Sequence, residues 1–139
     1  MKWRKFNGVE ITRPIEDEVR ETIEKEAAAG NKLKVCIGSD SQVYGKTIEF
    51  GTVIVFLREG RGGFMLIANE SSTQRMSLKE RLLYEVSRSI EIAYALCNLL
   101  DEYGVDLEVH AGIHTNPNFQ SNTSQQAAMG QTLSMGFGF

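Results

Sequence analysis

Three strand-like runs between residues 33 and 69 restrict the fold more than any other part of the chain. They cover residues 33–39, 47–57 and 63–69, and the second run is dense in the β-branched and aromatic residues that favour strands. The two connections are short and contain glycine, which is typical of hairpins. The pattern therefore predicts three consecutive antiparallel strands, with a bulge at Gly51 inside the second.

Two helical segments flank these strands in the sequence. Residues 14–29 have acidic side chains in their first half and are followed by Gly30, as expected for a helix with a glycine after its end. Residues 77–100 give the longer helical pattern, and Ser77 with Glu80 matches a capping box at its start. Both helices are expected to pack on a sheet.

The remaining sequence predicts a fourth strand over residues 107–114 and a weaker helix over 121–135. The order is then one helix, three strands, a helix, a strand and a helix. This order indicates an α/β protein with a mixed sheet covered by helices. The 139 residues are interpreted as a single domain, 1–139.

Composition excludes several function classes. The net charge of −3 argues against a protein that holds nucleic acid by general attraction to phosphates. Cys36 and Cys97 lie in apolar runs and are predicted to be small buried thiols, and no Cys/His spacing of a structural zinc site is present. The chain lacks a signal peptide and a membrane-spanning run, so a soluble cytoplasmic protein is expected.

Two acidic residues interrupt apolar surroundings. At about 100° per residue, Glu85 falls at the edge of the apolar face of the long helix, whereas Glu80 falls on the far side. A carboxylate facing the sheet needs a partner, so Glu85 is either a rim residue paired with an arginine such as Arg81, or a metal ligand or general acid/base. Asp40 follows an apolar strand and is interpreted either as a turn residue or as part of a site.

The fourth strand carries both histidines on one face. Alternation places Glu108, His110, Gly112 and His114 opposite the apolar residues Leu107, Val109, Ala111 and Ile113. The two imidazoles would lie about 13 Å apart on a regular strand, so a zinc ion shared by the two histidines is not expected. Each histidine is either an edge residue that forms hydrogen bonds or a functional group. Gly112 indicates close approach by a backbone or a ligand.

Three motifs together resemble one protein family. They are IGSDSQV at 37–43, LKERLLYEVSRS at 78–89 and EVHAGI at 108–113. The chain is similar over about residues 10–139 to the YkuK-like branch of bacterial ribonuclease H-like proteins. In that superfamily, carboxylates from the first strand, the next helix and the fourth strand hold two divalent metals. The resemblance also implies that the fold continues beyond residue 139.

The resemblance implies a metal-dependent nuclease acting on nucleic-acid phosphodiesters. Asp40 and Glu85 would be the ligands of Mg²⁺ or Mn²⁺, and His110 would orient a phosphate or a proton. The third acidic position is Gly112, so reduced activity is expected. The implied substrate contacts are Ser41, Gln42, His114 and Arg81.

Two alternatives remain open from the sequence. The same fold could be a non-catalytic nucleic-acid-binding module in which arginines contact phosphates, rather than forming a solvated surface; the candidates are Arg58, Arg61, Arg75 and Arg81. It could instead be a homo-oligomeric interaction module that pairs through an exposed edge strand.

Overall fold

The computed structural model describes residues 1–111, which form an α/β fold with a six-stranded mixed sheet and two helices. The strands lie in the order β2-β1-β5-β4-β3-β6. Both helices contribute to the same apolar core against one face of the sheet. The elements are β1 Trp3–Lys5, β2 Glu10–Ile11, α1 Ile15–Ala28, β3 Leu33–Tyr44, β4 Thr47–Arg58, β5 Gly63–Ser72, α2 Leu78–Glu102 and β6 Asp106–Ala111.

The predicted three-strand antiparallel arrangement is confirmed, but the strands are longer than the sequence indicated. β3 pairs with β4 from Leu33 opposite Arg58 to Tyr44 opposite Thr47. The strands join through a two-residue turn in which Gly45 has a φ of +59°, a conformation that glycine adopts readily. Asp40 therefore lies inside β3, and the interpretation of Asp40 as the end of the strand is wrong. The polar residues after Asp40 remain extended because β4 pairs with them.

The bulge predicted at Gly51 is also wrong. Gly51 lies directly opposite Asp40 on one side and opposite Asn69 on the other, and the register continues through it without an extra residue. Its effect is to leave room on the sheet surface beside Asp40.

β6 pairs with β3, the first strand of the antiparallel unit. After α2, β6 lies parallel to β3, with Lys34 opposite Asp106 and Ser39 opposite Ala111. The structure confirms a strand after the long helix. The predicted strand residues 112–114, which include Gly112 and His114, lie outside the described residues, as does the predicted helix 121–135.

The two N-terminal strands were not predicted. β1 pairs with β5, where Trp3 lies opposite Ala68, and β2 pairs with β1 at the edge of the sheet. Trp3 is buried in the core. Strands of three and two residues are too short to show the alternation from which a strand is inferred.

Alternation along the strands separates two faces of the sheet. In β3, Val35 and Ile37 are fully buried under the helices, with Val19 and Ile23 of α1 packed in the same core. The intervening residues of β3 face the other side, which we call the open face because neither α1 nor α2 covers it. Polar and ionisable residues of β3 are thereby divided between the core and the open face.

The predicted capping box at the start of α2 is present. The Ser77 hydroxyl accepts a hydrogen bond from Glu80 N at 3.1 Å, and Glu80 Oε1 accepts one from Ser77 N at 3.2 Å. Both residues are exposed. Glu80 is therefore a capping residue on the surface, as its position on the helix predicted.

Removing this cap gives a direct test of its contribution. We expect Ser77→Ala to lower the free energy of unfolding by about 1 kcal/mol, because it leaves Glu80 N without its hydrogen-bond acceptor. Ser87→Ala, at an exposed position in the middle of α2, is the matched control and should be neutral or stabilising by about 0.5 kcal/mol. Urea unfolding of the two variants measures both values; equal effects would contradict the cap.

Candidate functional site

Glu85 is a buried carboxylate between α2 and the sheet. It is 0% exposed, which confirms the prediction that this side chain faces the sheet. The Ser41 hydroxyl of β3 donates a hydrogen bond to Glu85 Oε2 at 2.5 Å, and Ser41 itself is only 3% exposed. The contact fixes the Glu85 carboxylate against β3.

Arg81 reaches this contact from one turn earlier on α2. Its Nε donates to the Ser41 hydroxyl at 3.1 Å, and its Nη2 donates to the Ser41 carbonyl oxygen at 3.1 Å. The guanidinium therefore holds both the main chain and the side chain of Ser41. Ser41 forms a bridge between Arg81 and Glu85.

Asp40 approaches the same point from the open face. Its Oδ1 accepts a hydrogen bond from Ser41 N at 2.8 Å. Asp40 thus binds the amide N–H of Ser41, and Arg81 binds its carbonyl oxygen. Asp40, Glu85 and Arg81 converge on one residue of β3, although they start from opposite faces and different elements.

The charges of Asp40 and Arg81 affect the pKa of Glu85. Burial is the main reason that the pKa of Glu85 is raised from 4.5 to about 7, although the Ser41 hydrogen bond acts in the opposite direction. The negative charge of Asp40 raises the pKa further, and the positive charge of Arg81 lowers it. Repulsion from the Asp40 charge favours a proton or a cation at Glu85.

A second polar cluster continues the core beside Glu85. The Ser39 hydroxyl lies 2.8 Å from the Ser89 hydroxyl and 3.3 Å from the Thr52 hydroxyl. All three residues are buried. The interface between α2 and the sheet is therefore apolar at one end and polar at the end that contains Glu85.

A pocket of about 310 Å³ opens on the other face of β3. Asp40 and His110 both line it, and His110 Nε2 lies 3.0 Å from Glu108 Oε2. A Cβ built at Gly38 would lie 3.4 Å from the His110 carbonyl oxygen. Glycine at this position therefore leaves no side chain in the pocket. The full lining is Cys36, Ile37, Gly38, Ser39, Asp40, Gly51, Val53, Val55 and His110.

The structure places Cys36 in a group of possible metal ligands, which the sequence did not predict. Cys36 and Cys97 are half-buried, so the prediction of buried thiols is wrong. Cys36 lies on the open face, where its Sγ and ligand atoms of Glu108 and His110 are all within 4.8 Å of one another. The spacing of Glu108 and His110 was visible in the sequence, but the pairing of Cys36 with Glu108 across parallel strands was not.

The other predicted contact residues are placed as follows. Gln42 is exposed and accepts a hydrogen bond from the Tyr44 hydroxyl. His114 lies outside the described residues. The roles predicted for Ser41, Gln42, His114 and Arg81 in substrate binding stay predictions.

The four arginines proposed for phosphate binding do not form one surface. Arg58 pairs with Glu26, and Arg61 donates to Asn31, at the end of the sheet where β4 turns into β5. Arg75 and Arg81 lie at the start of α2, near the opposite end of the sheet. A single basic binding face composed of these four residues is therefore not formed.

An antiparallel three-strand unit followed by a helix and a strand parallel to the first strand is consistent with a ribonuclease H-like fold. The family model described as Ribonuclease H-like matches residues 15–139. The chain belongs to the ribonuclease H-like family, which confirms the resemblance drawn from the three sequence motifs.

Two further comparisons gave no relative, since no curated protein and no solved structure matches the chain. Neither helix in residues 1–111 is long and apolar enough to cross a membrane.

The raised pKa of Glu85 makes stability depend on pH. The folded state holds this proton more tightly than the unfolded chain does, so the free energy of unfolding should fall as the pH rises from about 4.5 to about 7. The full effect is about 3 kcal/mol. Glu85→Gln keeps an acceptor for Ser41 and removes the charge, so it should abolish this fall and exceed the wild type in stability at pH 8. Urea unfolding in the presence of EDTA measures the effect.

Two further variants test the cause of the shift. Asp40→Asn keeps an acceptor for Ser41 N and should move the titration of Glu85 to lower pH, because the neighbouring negative charge is gone. Glu91→Gln, at an exposed site on α2, should leave the pH dependence unchanged. A wild type and a Glu85→Gln variant with the same pH profile would contradict the buried carboxylate.

Proposed function

We propose that this protein is a metal-dependent nuclease-like protein that acts on nucleic-acid phosphodiesters, with Asp40 and Glu85 as ligands of one Mg²⁺ or Mn²⁺ ion. The observation that carries the proposal is that both carboxylates are bonded to Ser41, Asp40 through the main-chain N–H and Glu85 through the hydroxyl. Membership of the ribonuclease H-like family supports a nuclease-like fold.

The residues present fit a hard divalent cation. Asp40 and Glu85 offer carboxylate oxygens, which are among the donors that magnesium and manganese prefer. The charge of Asp40 contributes to the raised pKa of Glu85, and a cation near both groups would offset that repulsion. The described donor set suits one ion rather than two.

The contacts of each residue support its role in the proposed site. Ser41 orients the Glu85 carboxylate, and Arg81 holds Ser41 through its hydroxyl and carbonyl. Asp40 lines the open pocket and faces the side from which a substrate would enter. A divalent ion bound in such a site lowers the pKa of a bound water and stabilises a leaving oxygen.

His110 lies in the same pocket as Asp40 and is held by Glu108. We propose that it contacts a phosphate oxygen of the substrate. Gly112 stands at the third acidic position of the family pattern, so the turnover of this chain is expected to be low compared with a member that has an acid there.

The fold and the pocket, rather than the net charge, support the proposed nucleic-acid partner. The chain carries a net charge of −3, and its four candidate arginines are split between two ends of the sheet. The purely electrostatic binding module is therefore supported less than a site in which a metal ion and the pocket bind the phosphate together.

Metal binding is tested first. Millimolar Mn²⁺ should raise the melting temperature of the wild type at pH 8, because the ion binds the folded state and offsets the repulsion between Asp40 and Glu85. The increase should be lost in Asp40→Asn and Glu85→Gln. Asp101→Asn, an exposed aspartate of α2, should respond like the wild type. An equal shift in all four proteins would contradict the site.

Cleavage is tested on fluorescently labelled single-stranded, double-stranded and hybrid RNA and DNA. Product should form only with Mn²⁺ or Mg²⁺, and Asp40→Asn should lower the rate at least a hundredfold while Asp101→Asn does not. Binding without metal that weakens with salt, with no product, would favour the non-catalytic module. Metal binding with neither cleavage nor nucleic-acid affinity would contradict the nuclease proposal.

A further inference from the structure

We propose a second metal site on the open face, in which Cys36, Glu108 and His110 bind Zn²⁺ or a similar transition-metal ion. Asp40 and Glu85 are not ligands of this site. The proposal is therefore tested by metal coordination and not by cleavage, although it gives His110 a different role from the one in the nuclease proposal.

The parallel pairing of β3 and β6 brings the three side chains together. Cys36 lies directly opposite Glu108, and His110 follows two residues later on the same face of β6. One ligand atom from each residue lies within 4.8 Å of the other two. The separation of 3.0 Å between His110 Nε2 and Glu108 Oε2 is close to the spacing of about 3.3 Å between ligands 2.0–2.1 Å from a tetrahedral zinc. Small side-chain movements would complete the geometry.

Cys36, Glu108 and His110 favour a different metal from the one that the Asp40–Glu85 site would bind. Thiolate and imidazole favour zinc and related transition ions, whereas magnesium prefers oxygen ligands. Three protein ligands with a fourth position for water or another donor is a common arrangement for zinc. On binding, the Cys36 thiol loses its proton to solvent as the sulfur–metal bond forms.

Lys34 supports this arrangement without being a ligand. Its ammonium pairs with Glu108 Oε1, whereas His110 Nε2 lies beside Glu108 Oε2. The Lys34 contact orients the Glu108 carboxylate so that Oε2 faces His110. Groups that orient a ligand in this way commonly change metal affinity by about 10- to 100-fold.

The ion would lie in the pocket that also contains Asp40. His110 is opposite Gly38, which is two residues from both Cys36 and Asp40 along β3. A bound ion would then provide the positive charge that faces a phosphate in this pocket. In that state His110 acts as a metal ligand and not as a direct phosphate contact.

Cobalt provides a spectroscopic test that does not depend on activity. Reduced, tag-free protein is titrated with Co²⁺, and thiolate coordination is read from the near-ultraviolet sulfur-to-cobalt absorption. We expect the band to saturate at one ion per chain and to disappear when Zn²⁺ displaces the cobalt. Cys36→Ser should abolish it, and Glu108→Gln should weaken binding at least tenfold. Cys97→Ser, which removes the other cysteine, is the matched control and should leave it unchanged.

Two further experiments distinguish this site from metal binding elsewhere in the protein. Asp40→Asn should retain the band; its loss there would show that thiolate coordination requires Asp40 and would overturn the proposed ligand set. In the unmodified protein, Zn²⁺ should protect Cys36 from alkylation at least tenfold while Cys97 reacts as before, read by mass spectrometry of peptides. A band that persists in Cys36→Ser, no band in the wild type, or equal alkylation of Cys36 with and without zinc would each overturn the proposal.

Discussion

The alternation of side chains along β3 is the constraint on which the rest of the structure depends. β3 pairs antiparallel with β4 and parallel with β6, so its register fixes which residues enter the core. Val35, Ile37, Ser39 and Ser41 face the helices, whereas Cys36 and Asp40 face the open side. A shift of one residue would exchange the two sets and would place the Asp40 carboxylate in the core. The apolar residues at the start of β3 therefore also determine where its polar residues act.

The core under α2 changes character along this strand. It is apolar around Ile37, becomes a cluster of hydroxyl groups at Ser39, and ends at the Glu85 carboxylate. Burying a carboxylate opposes folding unless the group is protonated, paired or bound to a cation. The hydrogen bond from Ser41 and the charge of Arg81 offset part of this penalty, but the pKa of Glu85 is still raised to about 7. An apolar residue at this position would pack with less penalty, which is consistent with a functional rather than a structural role.

Patterns that extend over many residues predicted most of the fold. The antiparallel three-strand unit, the capping box at Ser77 and the inward position of Glu85 could be derived from period, turn chemistry and helix geometry. The short strands β1 and β2 could not, because so few residues show no period. The end of β3 was placed too early since the polar residues after Asp40 favour turns locally, whereas pairing with β4 keeps them extended. The grouping of Cys36 with Glu108 and His110 depends on parallel register, which local sequence does not encode.

The two candidate metal sites differ in both position and chemistry, and β3 contributes to each. The Asp40–Glu85 site combines a residue on the open face with one under α2, both bonded to Ser41, and offers only oxygen donors. The Cys36–Glu108–His110 cluster lies wholly on the open face and combines sulfur, nitrogen and oxygen. An ion that prefers water and carboxylate gains little from the thiol, and a thiophilic ion gains little from two carboxylates that repel each other. Donor chemistry can therefore keep two ions apart even though both sites border one pocket.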